Sequence, residues 1–190
     1  MPSVDYELRY LQAGISVLED YILANDLYWP IGVRAESGNP PYPRLTLGGM
    51  LFTQKKARAR PLNSNQQGEL EDIENQMKDL RNRWRVAWEK KAAAEFHSRL
   101  KLWNNFWEDF RENPDANLDR YNYEVNRRVQ LELLADAAGN LSRAEVEMLR
   151  GLDGKLRTML MPGDFIWESE LASSFPSDKY WYLYGWIKIR

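Results

Sequence analysis

The chain has 190 residues, a formal net charge of -2 at pH 7 and no cysteine. This length is sufficient for one well-packed domain and too short for two large ones, so we predict a single domain over residues 1–190. Without cysteine the chain has no disulfides, iron–sulfur clusters, zinc–thiolate sites or thiol catalysis, and without a positive net charge it is untypical of proteins whose whole surface binds nucleic acid.

The first predicted element is an amphipathic helix from about Val4 to Ala24. Its apolar residues recur at alternating spacings of three and four, which places them on one helix face, and Ser3 is suited to be its N-cap. The N-terminal sequence MPSVDYELRYLQAG lacks the basic stretch and apolar core of a signal peptide. No stretch approaches the roughly 20 apolar residues that span a bilayer. We therefore expect a soluble, cytoplasmic protein.

A long loop rich in proline, glycine and aromatic residues is predicted at about residues 25–45. It contains the sequence NDLYWPIGVRAESGNPPYPR, and loops of this length inside compact domains are often functional. Tyr28, Trp29 and Tyr42 are expected to pin the loop to the body of the protein. They are also candidates for contacts with a partner protein.

A shorter helix is predicted to begin after the N-cap Thr46 and to end at Pro61. Its C-terminal end carries the basic run KKARAR, and basic residues at this end of a helix are ordinarily favourable against the helix dipole. The run also suggests an alternative function, a local patch that binds nucleic acid. The cations of this patch are Lys55, Lys56, Arg58, Arg60, Arg81 and Arg85.

The longest predicted element is a central helix over about residues 69–112, a stretch without proline or glycine. Its first half has the three-four alternation of a coiled-coil seam, and tryptophans continue the apolar stripe, which shifts around the helix near a triple alanine. Acidic residues dominate its start and basic residues its middle. The pattern predicts either an antiparallel homodimer through this helix or packing against the chain's own helices. Leu80, Trp84 and Trp88 are the candidate partner-binding residues.

Two more helices are predicted before an aromatic C-terminal tail. One begins at Pro114 and ends at Gly139, in keeping with the preference of proline for the first helical position and of glycine for the residue after a helix. Ser142 and Glu145 form a capping-box pattern at the start of the next helix. Together these elements predict an all-α bundle of about four to five helices with one long central helix.

The tail ends in KYWYLYGWIKIR, whose periodicity does not decide between strand and helix. Its aromatic residues either cover the core of the bundle or remain exposed as an anchor for a partner protein. Trp181 and Trp186 are the candidate partner-binding residues of this segment.

The sequence offers little for catalysis. Its single histidine, His97, has no nucleophile motif around it. Carboxylates that share a helix face, Glu71 with Glu74 and Glu132 with Asp136, suggest a helical metal-dependent hydrolase, although such pairs are common on solvated helices. We predict no cofactor, metal or catalytic residue, and interpret the protein as a non-catalytic helical module for protein interaction or oligomerisation. Nucleic-acid association and metal-dependent hydrolysis are the alternatives.

Overall fold

The computed structural model describes residues 3–188. It is 69% helical with a small two-stranded sheet, which confirms the prediction of a predominantly helical bundle. The α-helices are α1 (Val4–Leu23), α2 (Leu47–Ala59), α3 (Ser64–Arg83), α4 (Arg85–Glu112), α5 (Pro114–Asn117), α6 (Tyr121–Ala137) and α7 (Arg143–Met159). Strands β1 (Leu160–Phe165) and β2 (Tyr184–Ile187) follow, separated by 3-10 helices at Ser169–Ser174 and Trp181–Leu183.

Side-chain caps explain where α1, α2 and α7 begin. The Ser3 hydroxyl accepts a hydrogen bond from the backbone N–H of Tyr6, and the Thr46 hydroxyl accepts one from Gly49. Ser142 and Glu145 form the predicted capping box at the start of α7. Each cap satisfies a backbone donor that lacks a partner inside its helix, which is why polar residues of this type mark the boundaries.

The central helix predicted over about residues 69–112 is interrupted at Trp84, and the sequence had left its continuity open. That residue has φ -113° and ψ 37°, outside the helical range, and separates α3 from α4. The two halves have different neighbours: α3 packs against α1 and α2, whereas α4 packs mainly against α6. The interruption allows each half to turn its apolar stripe toward its own neighbours.

The predicted helix after Pro114 is also divided, into the short α5 and the longer α6. The side-chain amide of Asn117 donates hydrogen bonds to the backbone carbonyls of Asp109 and Asn113, at 3.1 and 2.8 Å. These contacts satisfy carbonyls at the end of α4 and hold the chain in a turn before α6 begins at Tyr121.

A single cluster of buried apolar side chains extends through the described residues from α1 to β2. Its centre is α4, whose aromatic residues contact one another at ring-centroid distances between 5.0 and 6.0 Å. Aromatic pairs in edge-to-face and offset arrangements of this kind stabilise a core beyond the area that they bury. The buried aromatic residues of α4 are Trp88, Phe96, Trp103, Phe106, Trp107 and Phe110.

The long loop between α1 and α2 is held to the body of the protein, as its aromatic residues predict. Trp29 and Leu45 exchange two backbone hydrogen bonds, of 3.0 and 2.9 Å, across the base of the loop. The ring of Tyr42 lies 4.7 Å from that of Tyr6 on α1. Lys91 donates from Nζ to the carbonyl oxygen of Ala24, at 2.6 Å, and so caps the end of α1.

The C-terminal tail forms a 3-10 helix and then a strand, which settles the choice that its periodicity left open. Strand β2 pairs antiparallel with β1, with Leu160 opposite Ile187 and Met161 opposite Trp186. The Tyr121 hydroxyl donates to the carbonyl oxygen of Tyr182, at 2.6 Å, and so ties the tail to α6. Across the described part of the chain, no helix is long and apolar enough to cross a membrane.

Candidate partner-binding surface

Two of the six cations that suggested a nucleic-acid patch are bound inside the protein. The carboxylate of Glu7, with only 1% of its surface exposed, lies 3.0 Å from Nζ of Lys56 and 3.2 Å from Nε of Arg60. Arg60 also forms ion pairs with Glu168 and Glu170, near the 3-10 helix Ser169–Ser174. Lys56 and Arg60 therefore join α1, α2 and the C-terminal segment, because a buried charge needs a partner of opposite sign.

The other four cations have different surroundings. Arg85 is exposed and its Nε lies 2.9 Å from the Glu89 carboxylate, one helical turn away. Lys55, Arg58 and Arg81 line a cleft between α2, α3 and α6. The six cations thus do not form one continuous basic surface.

The tryptophan-containing seam of the long helix is mostly occupied by the chain itself. Apolar residues of α3, namely Leu70, Ile73 and Met77, are buried where this helix packs against α1 and α2. Packing against the chain's own helices, one of the two predicted uses of this seam, is therefore what the fold contains. Leu80 and Trp84 are half-buried, and the indole of Trp84 donates a hydrogen bond of 2.7 Å to Glu19.

Trp88 does not fit its predicted role as a partner-binding residue. It is almost completely buried in the core around α4, so its ring has no surface to offer to another protein. The spacing that placed Trp88 on the apolar stripe was correct, but the stripe faces the interior at this point because α4 has neighbouring helices on several sides.

Of the three aromatic residues predicted in the loop, two pack against the core and one is exposed. Trp29 and Tyr42 are half-buried against the core, whereas Tyr28 is exposed. Burial, together with the positive charges of Arg99 and Arg120, lowers the pKa of the Arg127 guanidinium near Tyr28. Tyr28 is thus the residue of the predicted loop set that is free to meet a partner.

Two exposed apolar side chains lie opposite each other on one face of the β1–β2 ribbon. Trp186 is 57% exposed and Met161, directly opposite it in the strand register, is 40% exposed. The pair on the other face, Leu160 and Ile187, faces the core. We call the exposed face, formed by Met161, Gly163 and Trp186, the ribbon surface.

Gly163 supports the Trp186 ring, and Gly185 allows the two strands to approach closely beside it. A Cβ atom at Gly163 would lie 2.5 Å from Cζ3 of Trp186, so the indole rests directly on this glycine. Gly185 has φ 143°, and a Cβ atom there would lie 2.0 Å from the carbonyl oxygen of Met161. Side chains larger than hydrogen are therefore excluded at both positions. The ring is consequently part of a defined surface.

Trp181, the second tail residue predicted to bind a partner, is already engaged within the chain. It is half-buried, and the guanidinium carbon of Arg157 lies 3.8 Å from its ring centroid. This cation–π contact leaves Trp186 as the exposed tryptophan of the tail.

Glu95, a buried acidic residue of α4, belongs to a polar network at the start of α2. The Glu95 carboxylate accepts a hydrogen bond of 3.0 Å from the backbone N–H of Gly48 and one of 2.6 Å from Arg99. Arg99 also donates to the Thr46 hydroxyl, at 2.9 Å. A carboxylate at a helix N-terminus is favoured by the helix dipole. Burial, followed by the negative charge of Glu95, raises the pKa of the nearby Tyr10 hydroxyl well above its ordinary value.

The residues considered for catalysis have structural partners. His97 is exposed, with Nδ1 3.0 Å from the Glu145 carboxylate. Within residues 3–188, no group of three or more histidine, aspartate or glutamate side chains could hold a metal ion.

Three of the four carboxylates considered for a metal site are engaged by cations. Glu74 is bound by Arg58, Glu132 lies 2.9 Å from Arg128, and Asp136 lies 2.8 Å from Lys179. Glu71 accepts a hydrogen bond of 3.0 Å from the side-chain amide of Gln67. These contacts give each carboxylate a partner within the chain, a role for which no metal is needed.

In comparisons with protein-family models, with curated proteins and with solved structures, nothing matches this chain. Its candidate surface therefore rests on its own residues. Sequence reasoning identified Trp186 but missed Met161 and Gly163, because they lie next to it only through strand pairing. The one local signal for a strand here was the alternation of side chains over Tyr184–Ile187, which places the glycine and the isoleucine on one face and Trp186 on the other.

Proposed function

We propose that this protein is a non-catalytic helical module that associates through its ribbon surface, with a second copy of the chain as its partner. The exposure of Trp186 beside Met161 carries this proposal. Tryptophan and methionine are enriched at the centres of protein interfaces, where an aromatic ring supplies a large apolar contact at little cost in conformational entropy.

Self-association is favoured by the composition of the ribbon surface. In a two-fold dimer, a residue i of one copy that contacts residue j of the other implies the reverse contact as well. Trp186 of one copy can therefore pack on Met161 of the other, twice in the same interface. Contacts between a thioether sulfur and an aromatic ring are favourable by about 0.3–1.5 kcal/mol each.

The ribbon is expected to bind through its face and not by strand addition. β1 contains Pro162, which has no backbone N–H to donate to an added strand. Proline in an exposed strand is a common feature that prevents edge-to-edge pairing. The face that carries the tryptophan remains available for a side-chain interface.

The alternative of a nucleic-acid-associated protein has less support. Lys56, Arg58, Arg60 and Arg85 have carboxylate partners within the chain, so four of the six cations of the predicted patch are already paired. The absence of cysteine fits a reducing compartment, and we infer a cytoplasmic location on that basis.

The proposal is tested by size-exclusion chromatography with light scattering over a range of protein concentrations. We expect the wild-type mass to rise toward that of a dimer and the Trp186→Ser variant to remain monomeric. Tyr123→Ser is the matched control, because Tyr123 is 70% exposed on α6 and lies outside the ribbon surface. A wild-type protein that stays monomeric at every concentration, or a Trp186→Ser variant that dimerises as well as the control, would contradict the proposal.

A further inference from the structure

A cleft of about 250 Å³ lies between α2, α3, α6 and the 3-10 helix Ser169–Ser174. Its lining is partly apolar and partly polar, and the polar part includes three cations. The apolar lining consists of Leu51, Trp88, Leu133 and Ala137, and the polar lining consists of Gln54, Lys55, Arg58, Arg81, Asp136 and Ser174.

Lys55 is a half-buried cation held by aromatic rings instead of a carboxylate. Its Nζ lies 5.3 Å from the ring centroid of Phe175 and 5.1 Å from that of Tyr180. Within the described residues no carboxylate is at salt-bridge distance. Burial, and then the positive charges of Lys179 and Arg58, lowers the pKa of Lys55. An anion in the cleft would relieve this unfavourable arrangement of charges.

The neighbouring arginines also have capacity for an anion. Arg81 forms no ion pair with any carboxylate that the structure describes. Arg58 uses Nε and Nη2 on the carboxylate of Glu74, which leaves its Nη1 donors unused by that contact. Asp136 is the carboxylate of the lining, and Lys179 lies 2.8 Å from it and offsets its charge. The free charge that faces the cleft is therefore positive.

We propose that this cleft binds a small molecule that carries one phosphate monoester group next to a short apolar body. A phosphate monoester has a charge of about -1.5 to -2 at neutral pH, which matches the two cations without a carboxylate partner, Lys55 and Arg81. The planar guanidinium groups suit its oxygen atoms, and the Ser174 hydroxyl is a further donor. Leu51, Leu133 and Ala137 would contact the apolar part.

The size of the cleft favours a small ligand over a nucleic-acid strand. Pockets for drug-sized ligands are roughly 300–1,000 Å³, so a cleft of about 250 Å³ accommodates a phosphate and a small ring or short chain. A strand of nucleic acid needs a basic groove that follows several successive phosphates. The pairing of Lys56, Arg60 and Arg85 with carboxylates interrupts such a path.

Isothermal titration calorimetry with phenyl phosphate at constant ionic strength tests the proposal. We expect the wild-type protein to bind phenyl phosphate and not phenol, and Arg81→Gln to bind it about tenfold more weakly, because a charge-assisted hydrogen bond is lost. Arg85→Gln is the matched control, since it removes an equal charge four residues away but outside the cleft lining. This control should change the affinity by less than about twofold.

Other results would overturn the proposal. These are no binding of phenyl phosphate by the wild-type protein, equal binding of phenol, or an equal loss of affinity in Arg81→Gln and Arg85→Gln. A single-stranded oligonucleotide that binds more tightly than phenyl phosphate, and is weakened equally by both variants, would replace this proposal with nucleic-acid binding. Trp186→Ser should retain phenyl phosphate binding, so failure of the cleft and failure of the dimer are distinguishable.

Discussion

The tryptophans of α4 and the tryptophan of β2 have opposite surroundings, although one from each element, Trp88 and Trp186, was a candidate for contacts with a partner. Trp103 is 0% exposed and lies 5.5 Å from the ring of Phe106 and 5.3 Å from that of Trp107. Trp186 is 57% exposed and rests on a glycine. Residue type therefore does not determine whether a tryptophan lies in the core or at the surface. Its exposure depends on how many neighbouring elements cover the face on which it lies.

Charged residues of α2 divide in the same way. Lys56 faces α1 and is paired with the buried Glu7, whereas its neighbour Lys55 faces a cleft and is held by Phe175 and Tyr180. Successive residues on a helix point about 100° apart, so a single basic run supplies both an internal ion pair and a cation that lines a cleft.

Removal of a core tryptophan should have the largest effect. Trp103→Ala is expected to reduce the free energy of unfolding by about 3–5 kcal/mol, because a cavity remains where the ring was packed. Trp186→Ala should reduce it by less than about 1 kcal/mol in the monomer, since much of that ring is already in water. Urea unfolding monitored by circular dichroism measures both values. Equal losses in the two variants would remove the distinction between the two regions.

Close packing at the start of α2 should give an intermediate effect. A Cβ atom at Gly48 would lie 2.8 Å from the Glu95 carboxylate, which Arg99 holds in position, and 3.1 Å from a methyl group of Leu134. Gly48→Ala is expected to reduce the free energy of unfolding by about 1–3 kcal/mol. The measurement is equilibrium unfolding in urea, with the midpoint and slope both recorded.

Gly151→Ala is the matched control for this substitution. Gly151 lies in α7 with no atom within 4 Å of a built Cβ, so alanine should stabilise the helix by about 0.5–1 kcal/mol. The same substitution is therefore expected to lower the stability at Gly48, in the core, and to raise it at Gly151, on an open helix face. A Gly48→Ala variant as stable as the wild-type protein would show that the hydrogen bonds of Glu95 rearrange around the added methyl group without loss of stability.

The smallest effect is expected at the contact between α4 and the start of α7, and it depends on pH. Partial burial opposes ionisation of Glu145, but hydrogen bonds from Ser142 and from His97 outweigh burial and hold the pKa of Glu145 below its ordinary value of 4.5. A lowered pKa in the folded state means that the stabilisation is present above pH 4.5 and is lost as the pH falls through the folded-state value.

Glu145→Ala should therefore reduce the free energy of unfolding by about 1 kcal/mol at neutral pH, the usual value of a helix cap. The difference from the wild-type protein should shrink as the pH falls through the acidic range. Thermal unfolding at a series of pH values measures this trend. Glu147→Ala, at an exposed position of the same helix, is the control, and a pH-independent difference for Glu145→Ala would contradict the assignment.

Helix boundaries were the features best predicted from the sequence. Ser3, Thr46 and Ser142 were identified as caps, and each caps a helix in the fold. This succeeds because a cap depends on residues within one turn of the helix end. The interruption at Trp84 was not predicted, because it reflects a change of packing neighbours that lie far away in the sequence.

The candidate sites were predicted less completely, for the same reason. The spacing of apolar residues placed Trp88 on a helix stripe but gave no information on whether another helix covers it. The cleft brings Lys55 and Arg81 together from two helices, and the ribbon surface brings Met161 next to Trp186 across a strand pair. No local pattern connects residues that are separated by so many positions along the chain.

The helical class, the starts of α1, α2 and α7 and the exclusion of cysteine chemistry could be predicted from the sequence, because they depend on composition and on interactions within a few residues. The internal pairing of charges, the exposure of Trp186 and the grouping of cations around one cleft are visible only in the tertiary structure. The physical reason is that burial and charge pairing depend on residues distant in sequence, and their positions follow from the packing of all the elements together.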